Sequence, residues 1–167
     1  MTYETKPGYA EFFVEMTPAP GGSKKAITRG GKTFLIDACK NNKKWRQKVA
    51  ATAIAAVGKP MFKGPLVFEM AFIMPRPKAH YRTNGEYKAW APWCPTVRPD
   101  LTKLIRSTED ALTKIMWNDD AQVVAQVCTK RHVMQNEEVG AFIIVRKIPD
   151  HISDFGFLVK DEDETWT

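Results

Sequence analysis

The chain has 167 residues, a formal net charge of +6, 44% hydrophobic and 26% charged residues, enough for one domain with a real core. Six acids (Asp150, Asp154, Asp161, Glu162, Asp163, Glu164) against Lys160 occupy the last nineteen positions, so residues 1–148 carry +11, a balance that points to nucleic acid or another polyanion. Three scattered cysteines (Cys39, Cys94, Cys128) form neither a zinc pattern nor a disulfide framework, and the absence of a signal segment or an ~18-residue apolar run argues against secretion and membrane spanning.

Gly8–Met16 alternates as a first strand, with Ala10, Phe12, Val14 and Met16 on one side. Prolines and glycines at Pro18, Pro20, Gly21 and Gly22 break it. A basic loop with Lys24, Lys25, Arg29 and Lys32 precedes a short strand at Thr33–Ile36. The run A-I-T-R-G-G-K-T nearly spells a phosphate-binding loop, but Ala26 stands where that motif needs glycine, and no helix follows directly. A glycine-bearing hairpin with basic decoration is the expectation.

A helix is expected over about Asn41–Val57, capped by Asp37 or an asparagine, with Trp45, Val49, Ala53 and Ala56 inward. Lys43, Lys44, Arg46 and Lys48 crowd its first turns. They fit either phosphate contact or a solvated charged face. Pro65–Met74 is apolar on both alternations except at Glu69, as in a strand covered on both faces; Glu69 is an edge carboxylate or a site component. Pro75–Val97 has no period. It interleaves Arg76, Lys78, Arg82 and Lys88 with Tyr81, Tyr87, Trp90 and Trp93, a composition suited to phosphate contact plus base stacking.

The informative stretch is Arg98–Val124. Pro99 sets up Asp100 as a helix N-cap, and Leu101, Leu104, Ile105, Thr108, Leu112 and Ile115 form one buried stripe. Asp110 lies ~15 Å of rise from Asp100, too far to share a metal, and reads as structural. Asp119 and Asp120 then lead into strand-like Ala121–Val133, so only one of them is expected to face a site with Asp100 while the other binds backbone or solvent. Glu138–Ile148 reads as a last strand, followed by an acidic, flexible tail over 149–167. Together these elements give an α/β (α+β) domain over residues 1–148, a small mixed β-sheet packed with two main helices.

The run P-D-L-T-K-L-I-R-S-T-E-D-A-L-T-K-I-M-W-N-D-D-A-Q-V resembles the signature of the RusA family of Holliday junction resolvases, frequent in phages and prophages. The signature comprises an aspartate opening a helix, D-A-L in its middle, and an aromatic followed by D-D-x-Q-[VI]. The resemblance implies a RusA-like fold and a homodimer that binds four-way DNA junctions; with the scattered cysteines, which fit a reducing cytosol, the expected location is the cytoplasm of a bacterial host. The resemblance also implies paired nicks with Mg2+ or Mn2+. By position Asp100 and Asp120 match catalytic aspartates. Thr102 stands where the family has a further aspartate, Lys103 where it has asparagine, and Arg106 where it has a catalytic lysine.

The expected site is therefore Asp100, Asp120 and Asp119 as metal ligands, with Arg106 and Lys103 offsetting charge and Glu69 as a further candidate carboxylate. Lys24, Lys25, Arg76, Lys78, Arg82, Lys88 and Arg98 would contact DNA. A branched-DNA binder that has lost cutting through Thr102 is the alternative, and a single-strand or RNA binder using the aromatic loop is a third.

Overall fold

The computed structural model describes residues 4–21, 24–37 and 39–148; the acidic tail expected over 149–167 lies outside them. Among the described residues, seven strands and two α-helices occur in the order β1 (Glu4–Lys6), β2 (Tyr9–Glu15), β3 (Lys24–Arg29), β4 (Lys32–Asp37), α1 (Asn42–Val57), β5 (Leu66–Met74), α2 (Leu101–Leu112), β6 (Val123–His132) and β7 (Gly140–Lys147). The main sheet runs β1-β2-β7-β5-β6, antiparallel except for the β5–β6 pair. The fold is thus the mixed α+β arrangement expected, with α2 as the crossover between the two parallel strands.

Alternation decides which sheet face is covered. Ala10, Phe12 and Val14 of β2, Phe68 and Phe72 of β5, and Ala141, Ile143 and Val145 of β7 are all fully buried, in one core with Trp45, Val49 and Ala53 of α1 and Leu104 and Leu112 of α2. On the other face Val67 and Ile73 are buried too, but Glu69 and Ala71 between them are partly exposed. Two hydrogen bonds fix the helices against each other. The Trp45 indole donates to Thr108 Oγ1 at 3.1 Å, and Ser107 Oγ donates to Asn42 Oδ1 at 2.6 Å, satisfying polar groups that burial would otherwise penalise by about 1–3 kcal/mol each. Arg46 adds an ion pair to Asp110 at 3.7 Å. That places Asp110 in the helix–helix tie.

Gly140 begins β7 where no side chain fits, because a Cβ there would meet Val14 O at 2.3 Å and the Phe13 ring at 2.5 Å. The basic segment after the first strand forms the expected hairpin, longer than its sequence suggested. Lys24–Arg29 and Lys32–Asp37 pair through a Gly30–Gly31 turn in which both glycines have positive φ (57° and 75°), the two-residue geometry that matches strand twist.

Pro75–Val97 is not structureless. Arg76 organises it, donating to Val133 O (3.3 Å) and Pro92 O (3.0 Å) and stacking 4.5 Å from the Tyr87 ring centroid. His132 N donates to Trp93 O at 2.9 Å. The His132 ring lies edge-on to His80, which lies edge-on to Trp90, each pair at 5.3 Å between centroids. Burial, Arg76, and the nearby His80 and Lys130 all hold His132 below the usual histidine range, against a Pro75 carbonyl that favours its charged form. Residues 75–97 are thus clasped to the end of β6. Among the described residues no helix is long and apolar enough to cross a membrane.

Candidate nuclease site

Asp100 is the N-cap residue of α2 with extended backbone (φ −67°, ψ 138°), but its side chain makes no capping bond. It turns outward to Lys103 Nζ at 2.7 Å. Lys103's hydrogen bond and charge, with Arg98 and Lys130 adding to them, hold the carboxyl below the usual aspartate range. Lys130 reaches over from β6, donating to Val97 O (3.0 Å) and Pro99 O (2.9 Å) and so fixing the entry to the helix. A cleft of about 750 Å³ opens beside Asp100, lined by Arg98, Lys103, Pro75, Cys39 and His132 among others. This end of α2 is a solvent-facing carboxylate with the positive charges of Lys103, Arg98 and Lys130 beside it.

The other acidic pair is held differently. Asp119 caps a 3-10 turn over Asp120–Gln122, accepting from Ala121 N at 2.9 Å, while Gln122 Oε1 accepts from the Asn118 and Asp119 amides at 2.9 and 3.2 Å. This turn explains why β6 starts at Val123 and not at Ala121. Gln122 Nε2 meanwhile donates to Phe62 O and Gly64 O, tying the turn to the segment entering β5. Asp120 accepts from the Trp117 indole at 3.0 Å and from Thr113 Oγ1. Trp117 is fully buried and packs edge-on to Phe68 at 5.2 Å, so the Asp120 carboxylate is aimed by a core residue. The expected division of the pair holds for Asp119, which binds backbone. Asp120, however, faces the helix C-terminus and not Asp100.

The expectation that Asp100 and Asp120 meet is therefore corrected. Asp100 precedes the first residue of α2, and Asp120 bonds to Thr113, which follows the last; thirteen residues at 1.5 Å of rise put the two ends ~20 Å apart. Metal–oxygen bonds are only ~2.0–2.6 Å. The Asp100 and Asp120 carboxylates of a single chain do not fit one cation. Among the described residues no cluster of three His, Cys, Asp or Glu side chains suits a metal either.

Glu69 is excluded from either end for another reason. It is on the sheet face away from the helices, paired with Arg146 at 2.6 Å. Ile115, assigned to the helical stripe, lies past the end of α2, which stops at Leu112. Both departures follow from tertiary pairing that periodicity does not encode.

Three residues of this region were not singled out from sequence. Lys130 and His132 alternate with outward residues on β6, opposite the helix-facing Phe72 and Met74 of β5, so strand parity was the available signal. Glu109 lies between the two ends of α2, accepting from Gln126 Nε2 at 2.8 Å. Burial, with Asp120 and Asp110 nearby, pushes its carboxyl above the usual glutamate range, against Gln126 and Arg106. Thr102 and Arg106 are both exposed, at helical spacing before Glu109.

Of the expected DNA contacts, Lys24, Lys78, Arg82 and Arg98 are exposed. Arg82 shares its charge with Glu86 at 3.6 Å, and Lys88 lies 5.6 Å over the exposed Trp90 ring. Arg76 is corrected to a structural role, its guanidinium occupied by two carbonyls and a tyrosine. The side chain of Lys25 lies outside what is described.

A small α+β protein whose crossover helix has an aspartate near each end, with Lys103, Arg98 and Lys130 beside the first, suits work on a polyanionic backbone. Comparison makes this specific. Residues 15–146 match the family model for endodeoxyribonuclease RusA, and the chain belongs to that endodeoxyribonuclease family, which implies nuclease activity of the Holliday junction-resolving kind. It is also similar to the uncharacterized protein YqaN of Bacillus subtilis (strain 168), at 26% identity over 140 residues, covering 83% of this chain and 96% of the relative.

Proposed function

We propose that the protein is a Mg2+- or Mn2+-dependent, structure-selective endodeoxyribonuclease that resolves four-way DNA junctions by paired phosphodiester hydrolysis, as a homodimer in the cytoplasm of a phage- or prophage-bearing bacterium. The observation that carries this reading is α2, with an ionised outward aspartate at one end and an aspartate aimed by a buried indole at the other, in a chain of the RusA family. Asp100 and Asp120 are the proposed essential carboxylates. Lys103 keeps Asp100 ionised, and Arg106 offers a permanent cation to a phosphate lying along the helix. Asp119 acts only by shaping the turn that presents Asp120.

The ~20 Å between the ends of α2 argues for the dimer. A two-fold axis across the middle of two antiparallel α2 helices sets Asp100 of one copy beside Asp120 of the partner subunit, and does so twice, as an isologous interface must. Two sites each needing both chains would cut in pairs.

The test is cleavage of a synthetic four-way junction with magnesium or manganese. Asp100→Asn and Asp120→Asn each lower the rate by about a thousandfold while leaving junction binding intact. Mixing the two inactive variants restores single nicks, because the mixed dimer has one undamaged site. Unimpaired cutting by either variant would sink the site assignment, and a mixture that stays inactive would sink the shared site. If the unmutated protein binds junctions but never cuts, and Thr102→Asp confers cutting, the protein is a junction binder whose nuclease activity has been lost.

A further inference from the structure

The β3–β4 hairpin forms a sheet of its own, and its strands pack appreciably only on each other. A lone two-stranded ribbon is marginal in water, and this one carries two added costs. Ile27 and Phe34 are direct cross-strand partners yet 39% and 52% exposed. On the same face, nearer the turn, Arg29 lies opposite Lys32, a like-charge pair that weakens the hairpin. Among the described residues no carboxylate comes within ion-pair distance of either. The Gly30–Gly31 tip is open, with nothing within 4 Å of where a Cβ would stand.

We propose that this ribbon is a DNA-inserting element, with Arg29 and Lys32 bound to backbone phosphates and Phe34, supported by Ile27, pressed against bases at the branch point of a junction. The substrate rests on the nuclease reading above; the element and its chemistry are read from the hairpin itself. Phosphates neutralise the Arg29–Lys32 repulsion, and bases cover the apolar pair. A two-stranded ribbon fits a major groove ~12 Å wide, and apolar side chains enter most readily where bases are already poorly stacked, as at a branch. A second copy of the chain suits the ribbon less well, since stacking the apolar faces of two ribbons would supply no opposite charge to either Arg29–Lys32 pair.

The experiment uses the full-length protein without divalent metal, so that cutting does not intervene, on a four-way junction with 2-aminopurine beside the branch point and on a linear duplex of the same composition. The unmutated protein raises 2-aminopurine fluorescence on binding the junction. Phe34→Ala abolishes that rise and weakens junction binding about tenfold, with duplex binding unchanged, whereas Phe34→Trp keeps both signal and affinity. The double variant Arg29→Gln with Lys32→Gln weakens junction and duplex alike and lowers the log–log salt slope by about 2.

Circular dichroism matching the unmutated protein checks that these variants fold. A Phe34→Ala protein that opens the branch point and binds normally overturns the proposal. So does one whose only change is dissociation into monomers in sedimentation, which would give this face to a second copy. The two readings fail separately. Branch opening that depends on Phe34, without cutting in added metal, leaves the ribbon standing and removes the nuclease; cutting with a fluorescence rise indifferent to Phe34 does the reverse.

Discussion

The two ends of α2 carry the same functional group in opposite settings. Asp100 is half-exposed, bonded only to a flexible lysine, and ionised by a ring of mobile and fixed cations. Asp120 accepts from the indole of a fully buried tryptophan and from a helix-terminal threonine. One carboxylate is tuned by charge and the other by position. Carboxylates prepared in these two ways respond to different perturbations, and that is how the comparison can be broken.

The largest effect belongs to the positioned end. Trp117→Phe removes the indole N–H from Asp120 while keeping an aromatic ring in the core. It is expected to cost about 1–2 kcal/mol of stability in thermal unfolding and to slow junction cutting about tenfold, with junction affinity unchanged. A variant equally destabilised but cutting at the normal rate would show that the indole bond does not matter for catalysis.

Next comes the charge-tuned end. Lys103→Met removes the ammonium whose hydrogen bond and charge hold Asp100 below its usual range. Because the carboxyl is ionised only above its pKa, raising that pKa moves the acid limb of the pH–rate profile to higher pH, with less change near pH 8. Trp117→Phe should leave that limb in place. If both variants shifted it alike, the two ends would not be independently tuned.

The smallest effect is a control between the ends. Asp110→Asn weakens the partly exposed pair with Arg46 and is expected to cost no more than about 0.5 kcal/mol, with cutting and its pH profile unaltered. A separate pH signature belongs to His132, whose charged form is disfavoured in the folded protein. The unfolded chain takes up a proton first, so stability falls as pH drops through about 6.5. His132→Gln should flatten that part of a Tm-against-pH curve.

The sheet and helices were legible because their residues announce their partners by period. Ala10, Phe12 and Val14 alternate, and Leu101, Leu104, Thr108 and Leu112 recur at three and four. Asp100 and Asp120 were legible as a motif. Their separation was not, because a motif gives order along the chain and says nothing of which end of a helix a later carboxylate returns to. Glu69 looked like a candidate until its strand parity placed it on the far face against Arg146. Arg76 looked like a DNA contact because composition cannot tell a guanidinium facing solvent from one bonded to the Pro92 and Val133 carbonyls. The hairpin was legible from Gly30–Gly31, but the exposure of Phe34 was not, since an aromatic in a short strand is ordinarily core.

The parallel pairing of β5 with β6 has one more consequence. In a strand–helix–strand unit the segment joining strand to helix is free to vary so long as its two ends stay put, and doubling the length of such a loop costs only about 0.6 kcal/mol in closure entropy. Residues 75–97 occupy that joint, anchored by Arg76 at one end and by Lys130 on the Val97 and Pro99 carbonyls at the other. A change in length between those anchors would thus leave the Asp100 end of α2 where it is.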